Sequence, residues 1–433
     1  MNWKELYKKK LLSLDDALGL IKSNHKIVVS MVSMEPKGLL DNLHKLATHV
    51  EGVSVTSCLN MREYPFFMDP QYNGTFINES WFYSAPVRKA AEAGYKTVSY
   101  IPNNLHNAGT DRLVSNKPDI FWGVASPMDR NGYMTLSLSN VYERDMVENA
   151  DMVILEVNEK APKTHGETQV HISEVDHVIE NSFDIPELPV VEPSETEKHI
   201  ARHISELIED GATLQIGIGG IPNAVAKLLE DKRDLGIHTE MFTESMIELF
   251  EKGIITNSRK TLWPGKFICT FALGTKKMYK FVEDNPGIFI LRGRYVNDPY
   301  VIAQNEKMVS INTAITVDLT GQVCSEAIGT RHYSGTGGQL DTHRGASMSK
   351  GGKGIIALRT TAKRGTISTI VPLLPLGSPV TVPRQDIDYV VTEYGIAHLR
   401  GLSVKQRAEA LVNIAHPDFR NQLRKEASKL NLI

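Results

Sequence analysis

The chain has 433 residues, with 48 Lys plus Arg against 51 Asp plus Glu and a formal net charge of −3 at pH 7. That length calls for roughly two or three domains, and the balanced charge leaves no electrostatic footprint for a nucleic-acid partner. Three scattered cysteines, Cys58, Cys269 and Cys324, form neither a CxxC pair nor a disulfide framework, which points to a reducing compartment. The amino terminus MNWKELYKKKLLSLDDALGLI has no apolar core region or cleavage site. No run of about 18 apolar residues occurs. Neither a signal peptide nor a membrane partner is therefore expected, and the expected location is the cytoplasm.

Ser13 caps a helix that continues to Ile21. Residues 27–32 read as the first strand, followed by a loop with Glu35 and Pro36, a helix over 38–50 and a strand over 53–57. Residues 66–83 form an aromatic-rich loop region and 86–94 a helix. Residues 98–101, 120–124 and 152–157 are strands, and Asn131-Gly132 is a hairpin turn. In IPELPVVEPSETEKHI (185–200) charge and turn residues replace periodic apolar ones. A domain boundary is set there, giving an N-terminal α/β domain over 1–190 and a C-terminal one over 191–433.

The second half opens with a helix over 197–208 and then carries the most informative stretch, TLQIGIGGIPNAVAKLLEDKRDLGIHTEMFTE (213–244). It reads as a strand over 213–216, the turn Gly217-Ile218-Gly219-Gly220, and a helix that buries Ile221, Val225, Leu228 and Leu229. A second strand over 235–239 ends at Glu240. In a parallel βαβ unit the turn and Glu240 emerge on the same carboxyl edge of the sheet, where open α/β sheets bind ligands. Two chemistries fit. A dinucleotide fold would use the acidic residue on a ribose, and an acyl-transfer site would use it as the nucleophile. The dinucleotide fingerprint needs a third glycine where Pro222 stands. The turn alone is a ready anion or carbonyl-oxygen cradle, and equally a plain strand-to-helix turn.

Further strands are expected over 288–291, 315–319, 354–358 and 387–392, with glycine-rich loops at 334–338 and 349–354 between them. The second loop carries Lys350 and Lys353, with Arg344 just before it. Gly354 stands where a Walker motif needs Ser or Thr, so a solvated basic loop is the plainer reading. His165, His171 and His177 recur every six residues and would share a strand face, but the spacing is not that of a zinc site and no metal is expected. His238, two before Glu240, reads as a hydrogen-bonded edge residue or a group orienting the carboxylate. The absence of GxSxG counts against a serine hydrolase. The tail over 400–415 is an amphipathic helix with Leu402, Ala408, Leu411, Val412 and Ile414 on its apolar side.

Ordered motifs along almost the whole chain carry a resemblance. They are SPMDRNGYMTLSLS (126–139), VILEVNEKAPKTHG (153–166), DGATLQIGIGGIPNAV (210–225), GIHTEMF (236–242), SINTAITVDLTGQV (310–323), SGTGGQLDTHRGASMSKGGKGIIAL (334–358) and VTEYGIAHLRGLSVKQRAEALVNIAHPDFR (391–420). The chain resembles the acetyl-CoA hydrolase/transferase family, and most closely its shorter members, the butyryl-CoA:acetate and 4-hydroxybutyrate CoA-transferases. The resemblance implies an α/β fold of two open domains of related architecture, with the active site at their interface. It also implies that Glu240 is a covalent nucleophile, passing through an acyl anhydride and a glutamyl-CoA thioester in ping-pong exchange.

By the same resemblance Gly217, Ile218, Gly219, Gly220, Ile221, Asn312, Gly335, Gly338 and Lys353 are where CoA lies. The oxyanion donors would come from Gly219 and Gly220 or from Gly337 and Gly338, an alternative the residues leave open. The first half has VSMEPKGLL in place of the glycine turn and is expected to shape the acid pocket through Met34, Glu35 and Asn60. The implied partners are acyl-CoA and short-chain carboxylates, with coenzyme A as co-substrate, no permanently bound cofactor, and a homodimer or homotetramer as the assembly. An acyl-CoA hydrolase using the same glutamate is the alternative, and a non-catalytic CoA or nucleotide sensor a more remote one.

Overall fold

The structure is a computed structural model and describes residues 2–433. The chain divides into two compact units. The first runs to Leu188 and takes in Ile268–Tyr295, and the second holds Pro189–Phe267 and Val296–Ile433. Residues 268–295, which a single cut near residue 190 assigns to the second half, thus pack with the first unit.

The first unit is built on strands Lys26–Val29 (β1), Val53–Ser57 (β2), Phe76–Ser80 (β3), Val98–Tyr100 (β4), Ile120–Ala125 (β5), Met152–Val157 (β6) and His177–Glu180 (β7). They form one seven-stranded sheet in the order β7-β6-β5-β1-β2-β3-β4. Every pairing is parallel. All six residues of β5 are buried, as a near-continuous apolar run at the centre of a parallel sheet requires. The chain winds outward from β1 in one direction and from β5 in the other, so the crevice at their carboxyl ends is the switch point. Met34 and Glu35 lie just beyond β1.

A buried carboxylate ties this sheet to its first crossover helix, Lys37–Asn42 (α1). Glu156 on β6 accepts from the backbone N–H groups of Gly38 and Leu39, both at 2.9 Å, from Asn181 at 2.8 Å and from Trp122 Nε1 at 3.1 Å. It therefore satisfies donors at the start of α1 that have no partner within the helix. Trp122 is fully buried in the core with Ile27, Val29, Leu39 and Phe67. Trp122→Ala is expected to cost about 3–5 kcal/mol by cavity formation, before counting the donor lost to Glu156. Urea unfolding measures it, and a loss under about 1 kcal/mol would mean the site collapses around the deletion.

The second unit has strands Thr213–Ile216 (β8), Gly236–Ile237 (β9), Met308–Thr313 (β10), Lys353–Ala357 (β11), Tyr389–Thr392 (β12) and Gly395–His398 (β13). Their order is β9-β8-β10-β11-β12-β13, parallel except for the last pair. Here the switch point lies between β8 and β10. The glycine turn follows β8, and Asn312 and Thr313 end β10. Ile356, Leu358, Val390 and Leu399 pack in one core with Ala408, Leu411, Val412 and Ile414 of the helix Val404–Ile414.

Several elements differ from expectation. Phe76–Ser80 is a strand inside what reads as an aromatic loop, and Met308–Thr313 is a strand whose apolar run Met308-Val309 is broken by Ser310 and Asn312. Both carry polar residues whose partners come from neighbouring strands. Asn78 Oδ1 accepts from Ser57 at 2.9 Å, and Ser310 donates to Gln215 at 2.7 Å. The helix over 38–50 breaks into α1 and a 3-10 turn, Leu43–Leu46. The segment 315–319 gives only the short strand Thr316–Asp318, outside the six-stranded sheet. Ile288–Ile290 joins the first unit, where Phe289 and Ile290 pair with His165 and Gly166. Leu228 is 36% exposed rather than buried, because the helix Gly220–Lys227 ends before it.

Candidate active site

Glu240 follows β9 after a two-residue connection, His238-Thr239, and sits at the carboxyl edge of the second unit's sheet. Its Oε2 accepts from Asn297 Nδ2 at 2.9 Å. The backbone N–H of Gly338 also donates to the carboxylate. Gly338 caps the helix Gln339–Met348 and is backed directly against Glu240. A Cβ there would lie 2.0 Å from Glu240 Oε2 and 2.1 Å from Asn297 Nδ2. Among the described residues no side chain donates to Oε1.

Burial pushes the Glu240 carboxyl up to about 7, and the nearby Asp341 charge adds to the rise, while the Asn297 and Gly338 donors pull it down. The residue keeps partial surface exposure even so. Asn297 is fully buried, and its Oδ1 has no partner. The hydrogen bond of His238 is not to Glu240. Its Nε2 lies 2.8 Å from the Val296 carbonyl, next to Asn297, and burial depresses its imidazole to about 3. It is a neutral anchor for the turn that carries Asn297.

The glycine turn lines a cavity of about 290 Å³ with Thr313 and Ala314 at the end of β10 and Ala357, Leu358 and Arg359 at the end of β11. Ile218, Gly219, Gly220 and Ile221 are on its wall, as the switch-point argument requires. A carboxylate packs against the turn, however. The Glu197 carboxylate lies where a Cβ on Gly220 would stand, 2.1 Å from its Oε1. Of the four oxyanion candidates, Gly338 is the one brought against Glu240. Gly219 and Gly220 belong to the cavity, and Gly337 is a left-handed residue (φ 53°) just before Gly338.

Asn312 is drawn into a polar network below this edge, donating to Ser310 Oγ at 2.9 Å and Thr342 Oγ1 at 3.0 Å. Gly217 packs near the Ile311 carbonyl, and Gly335 is buried in the loop before Gly338. Lys353 is not brought to the site. It opens β11 at the amino edge, about 13 Å of strand away from Ala357. Its Nζ is paired with Glu209 at 3.1 Å. Arg344 and Lys350 are likewise paired, with Asp386 and Glu306. His165, His171 and His177 fall on three different strands rather than one face. No group of three His, Cys, Asp or Glu among the described residues is placed to hold a metal.

In the first unit Glu35 is buried beside the other proposed pocket residues. It accepts from Asn60 Nδ2 at 2.9 Å, Met61 N at 3.0 Å and Tyr64 OH at 3.0 Å. Burial pushes its carboxyl up to about 7 despite those donors. Met34 is fully buried. Asn297, Arg359 and Glu197 escape sequence reasoning. Glu197 alone leaves a signal, as the fourth residue of the capping box begun by Ser194.

Comparison with known proteins decides the family. The acetyl-CoA hydrolase/transferase N-terminal domain matches residues 1–192, and the C-terminal domain of the same family matches residues 274–427. The 4-hydroxybutyrate coenzyme A transferase of Clostridium kluyveri is 41% identical over 430 residues, covering 99% of this chain and 100% of that one. The chain belongs to the acetyl-CoA hydrolase/transferase family. Another member, the butyryl-CoA:acetate CoA-transferase of Anaerostipes caccae, is 36% identical and covers 100% of this chain and 99% of its own. Among solved members, RipA from Yersinia pestis superposes with a TM-score of 0.92 at 38% identity, with both chains fully covered. A 4-hydroxybutyrate CoA-transferase from Porphyromonas gingivalis gives 0.81 at 36%, covering 99% of this chain and 100% of that one. A relative named as an acetyl-CoA hydrolase, from Kluyveromyces lactis, is 32% identical over 52% of this chain and covers 44% of its own. No helix among the described residues of this family member is long and apolar enough to cross a membrane.

Proposed function

We propose that the protein exchanges CoA between a short-chain acyl-CoA and a free carboxylate of the acetate, butyrate or 4-hydroxybutyrate type, with Glu240 as nucleophile. The observation that carries the reading is a carboxylate held through one oxygen by Asn297, with Gly338 N–H as a second donor and no imidazole or lysine in contact with it. Carboxylate-for-carboxylate exchange moves no proton, so such a site suffices. Water as acceptor would need a base.

In this scheme Glu240 attacks the acyl carbonyl, the C–S bond breaks, and an acyl-glutamyl anhydride and CoA thiolate result. The thiolate attacks the glutamyl carbonyl and releases the first acid, leaving glutamyl-CoA. The incoming carboxylate attacks that thioester, and the expelled thiolate then takes the new acyl group and frees Glu240. Incubation of labelled acetate with unlabelled butyryl-CoA is expected to give labelled acetyl-CoA with ping-pong kinetics. CoA release at the same rate without acetate would replace transfer by hydrolysis.

Because the nucleophile must be ionised, kcat/KM is expected to rise with pH through about 7 and then level off. Asn297→Ala removes a donor to the ionised form and should move that limb to higher pH. A pH–rate profile of the variant measures the shift, and an unmoved limb would show that Asn297 does not govern the ionisation of Glu240.

A further inference from the structure

The cavity beside the glycine turn has two charged walls, and they divide its chemistry. Glu197, with its side chain 10% exposed, is clasped on Oε2 by Ser194 N at 2.7 Å and Ser194 Oγ at 2.8 Å, and on Oε1 by Arg359 Nη2 at 2.6 Å. Burial opposes its ionisation, yet the Ser194 and Arg359 donors hold its carboxyl below the usual range. It also caps its own helix, Glu195–Glu206. A fixed negative charge therefore stands against the α-carbon of Gly220, at the start of the helix Gly220–Lys227, where it opposes a second anion on the turn.

Arg359 is different. Its side chain is 52% exposed at the cavity, and Glu197 engages only one of its nitrogens. The backbone around it is pinned. Thr369 Oγ1 donates to the Arg359 carbonyl at 2.6 Å, and Thr360 N donates to Glu393 Oε2 at 3.0 Å. The remaining guanidinium donors are thus presented from a rigid strand end, in a geometry suited to phosphate oxygens.

We infer that Arg359 takes a phosphate of the CoA nucleotide at the cavity mouth, while Glu197 keeps phosphate off the glycine turn and reserves it for an uncharged stretch of the cofactor arm. This rests on the CoA-transfer reading and adds a charge register to it. Like charge in a shared site is repulsive, so the bound thioester can slide only until its phosphate meets Arg359.

Two variants test it. Arg359→Gln is expected to raise KM for acyl-CoA about tenfold, the size of one charge-assisted contact, and to leave kcat/KM for the acyl-pantetheine thioester, which lacks the nucleotide phosphates, within about twofold. Glu197→Gln keeps the helix cap, since glutamine serves equally at that position, but removes the charge. Inorganic phosphate, without effect on the native protein, should then compete with acyl-CoA. The inference is overturned if Arg359→Gln shifts both thioesters alike or neither, or if phosphate acts on the native protein and Glu197→Gln to the same extent. Failure of the native protein to turn over acyl-CoA at all would instead bring down the CoA-transfer reading, and this inference with it.

Discussion

Glu240→Ala is expected to abolish labelled-acetate exchange, with kcat/KM lower by at least about 10⁴-fold, the scale seen when a covalent nucleophile is removed. No neighbouring group is placed to replace it. Asp341 acts on Glu240 through its charge but is 1% exposed, and His238 is turned toward the Val296 carbonyl. Glu240→Asp keeps the charge but draws the oxygens back by about one methylene, off Asn297 and Gly338. A misplacement of about 1 Å in a near-attack geometry costs on the order of 100-fold. The fold should not suffer, because removing a carboxyl whose ionisation burial opposes relieves a cost. Mass spectrometry of the native protein after acyl-CoA addition should find CoA joined to the Glu240 peptide with loss of water, and nothing in the alanine variant. Exchange retained within about tenfold would sink the nucleophile assignment.

Gly338→Ala is expected to lower kcat by about 10²–10³-fold without unfolding the protein. Its backbone sits at φ −97° and ψ 13°, on the negative-φ side where a residue with a Cβ is allowed, so the effect is mainly one of space. The added methyl would fall on Glu240 Oε2 and Asn297 Nδ2, and nucleophile and holder must both move. Gly337→Ala is the useful contrast. There φ is 53°, so the loss should be one of stability, about 1 kcal/mol, ahead of rate. Measuring kcat and the urea midpoint of both variants separates the two effects. A Gly338→Ala enzyme with native kcat would show that the held position of Glu240 is not needed.

How far the sequence spoke for itself depended on where polar residues went. The strands over 120–124 and 152–157 were legible because parallel strands buried on both faces are nearly all apolar. Phe76–Ser80 and Met308–Thr313 were not, since Asn78, Ser310 and Asn312 are satisfied by side chains from distant segments, a pairing that no local pattern announces. The same holds at the site. The glycine turn and Glu240 share one βαβ unit and could be read together. Asn297 lies 57 residues from Glu240, and Arg359 is 162 residues from Glu197. The packing of Glu197 against Gly220 is likewise a tertiary fact. Its sequence shows only a helix cap. The position of Lys353 was hidden for a related reason: a glycine-rich loop has no visible direction, and this one leads into the amino edge of the sheet.

The route of the chain between Glu240 and Asn297 has its own consequence. Between these two residues it leaves the second unit at Phe267, completes the first with Ile268–Tyr295, and returns at Val296, one residue before Asn297. Glu240 and Asn297 are therefore the two ends of a long closed loop whose middle belongs elsewhere. During synthesis the first unit stays unfinished until residue 295 has emerged, and Glu240 stays unheld until the excursion has come home. A truncated chain ending before Asn297 would carry Glu240 but not the Asn297 donor to it. Glu240 thus meets its Asn297 partner late, by loop closure, only after the first unit has its full complement of chain.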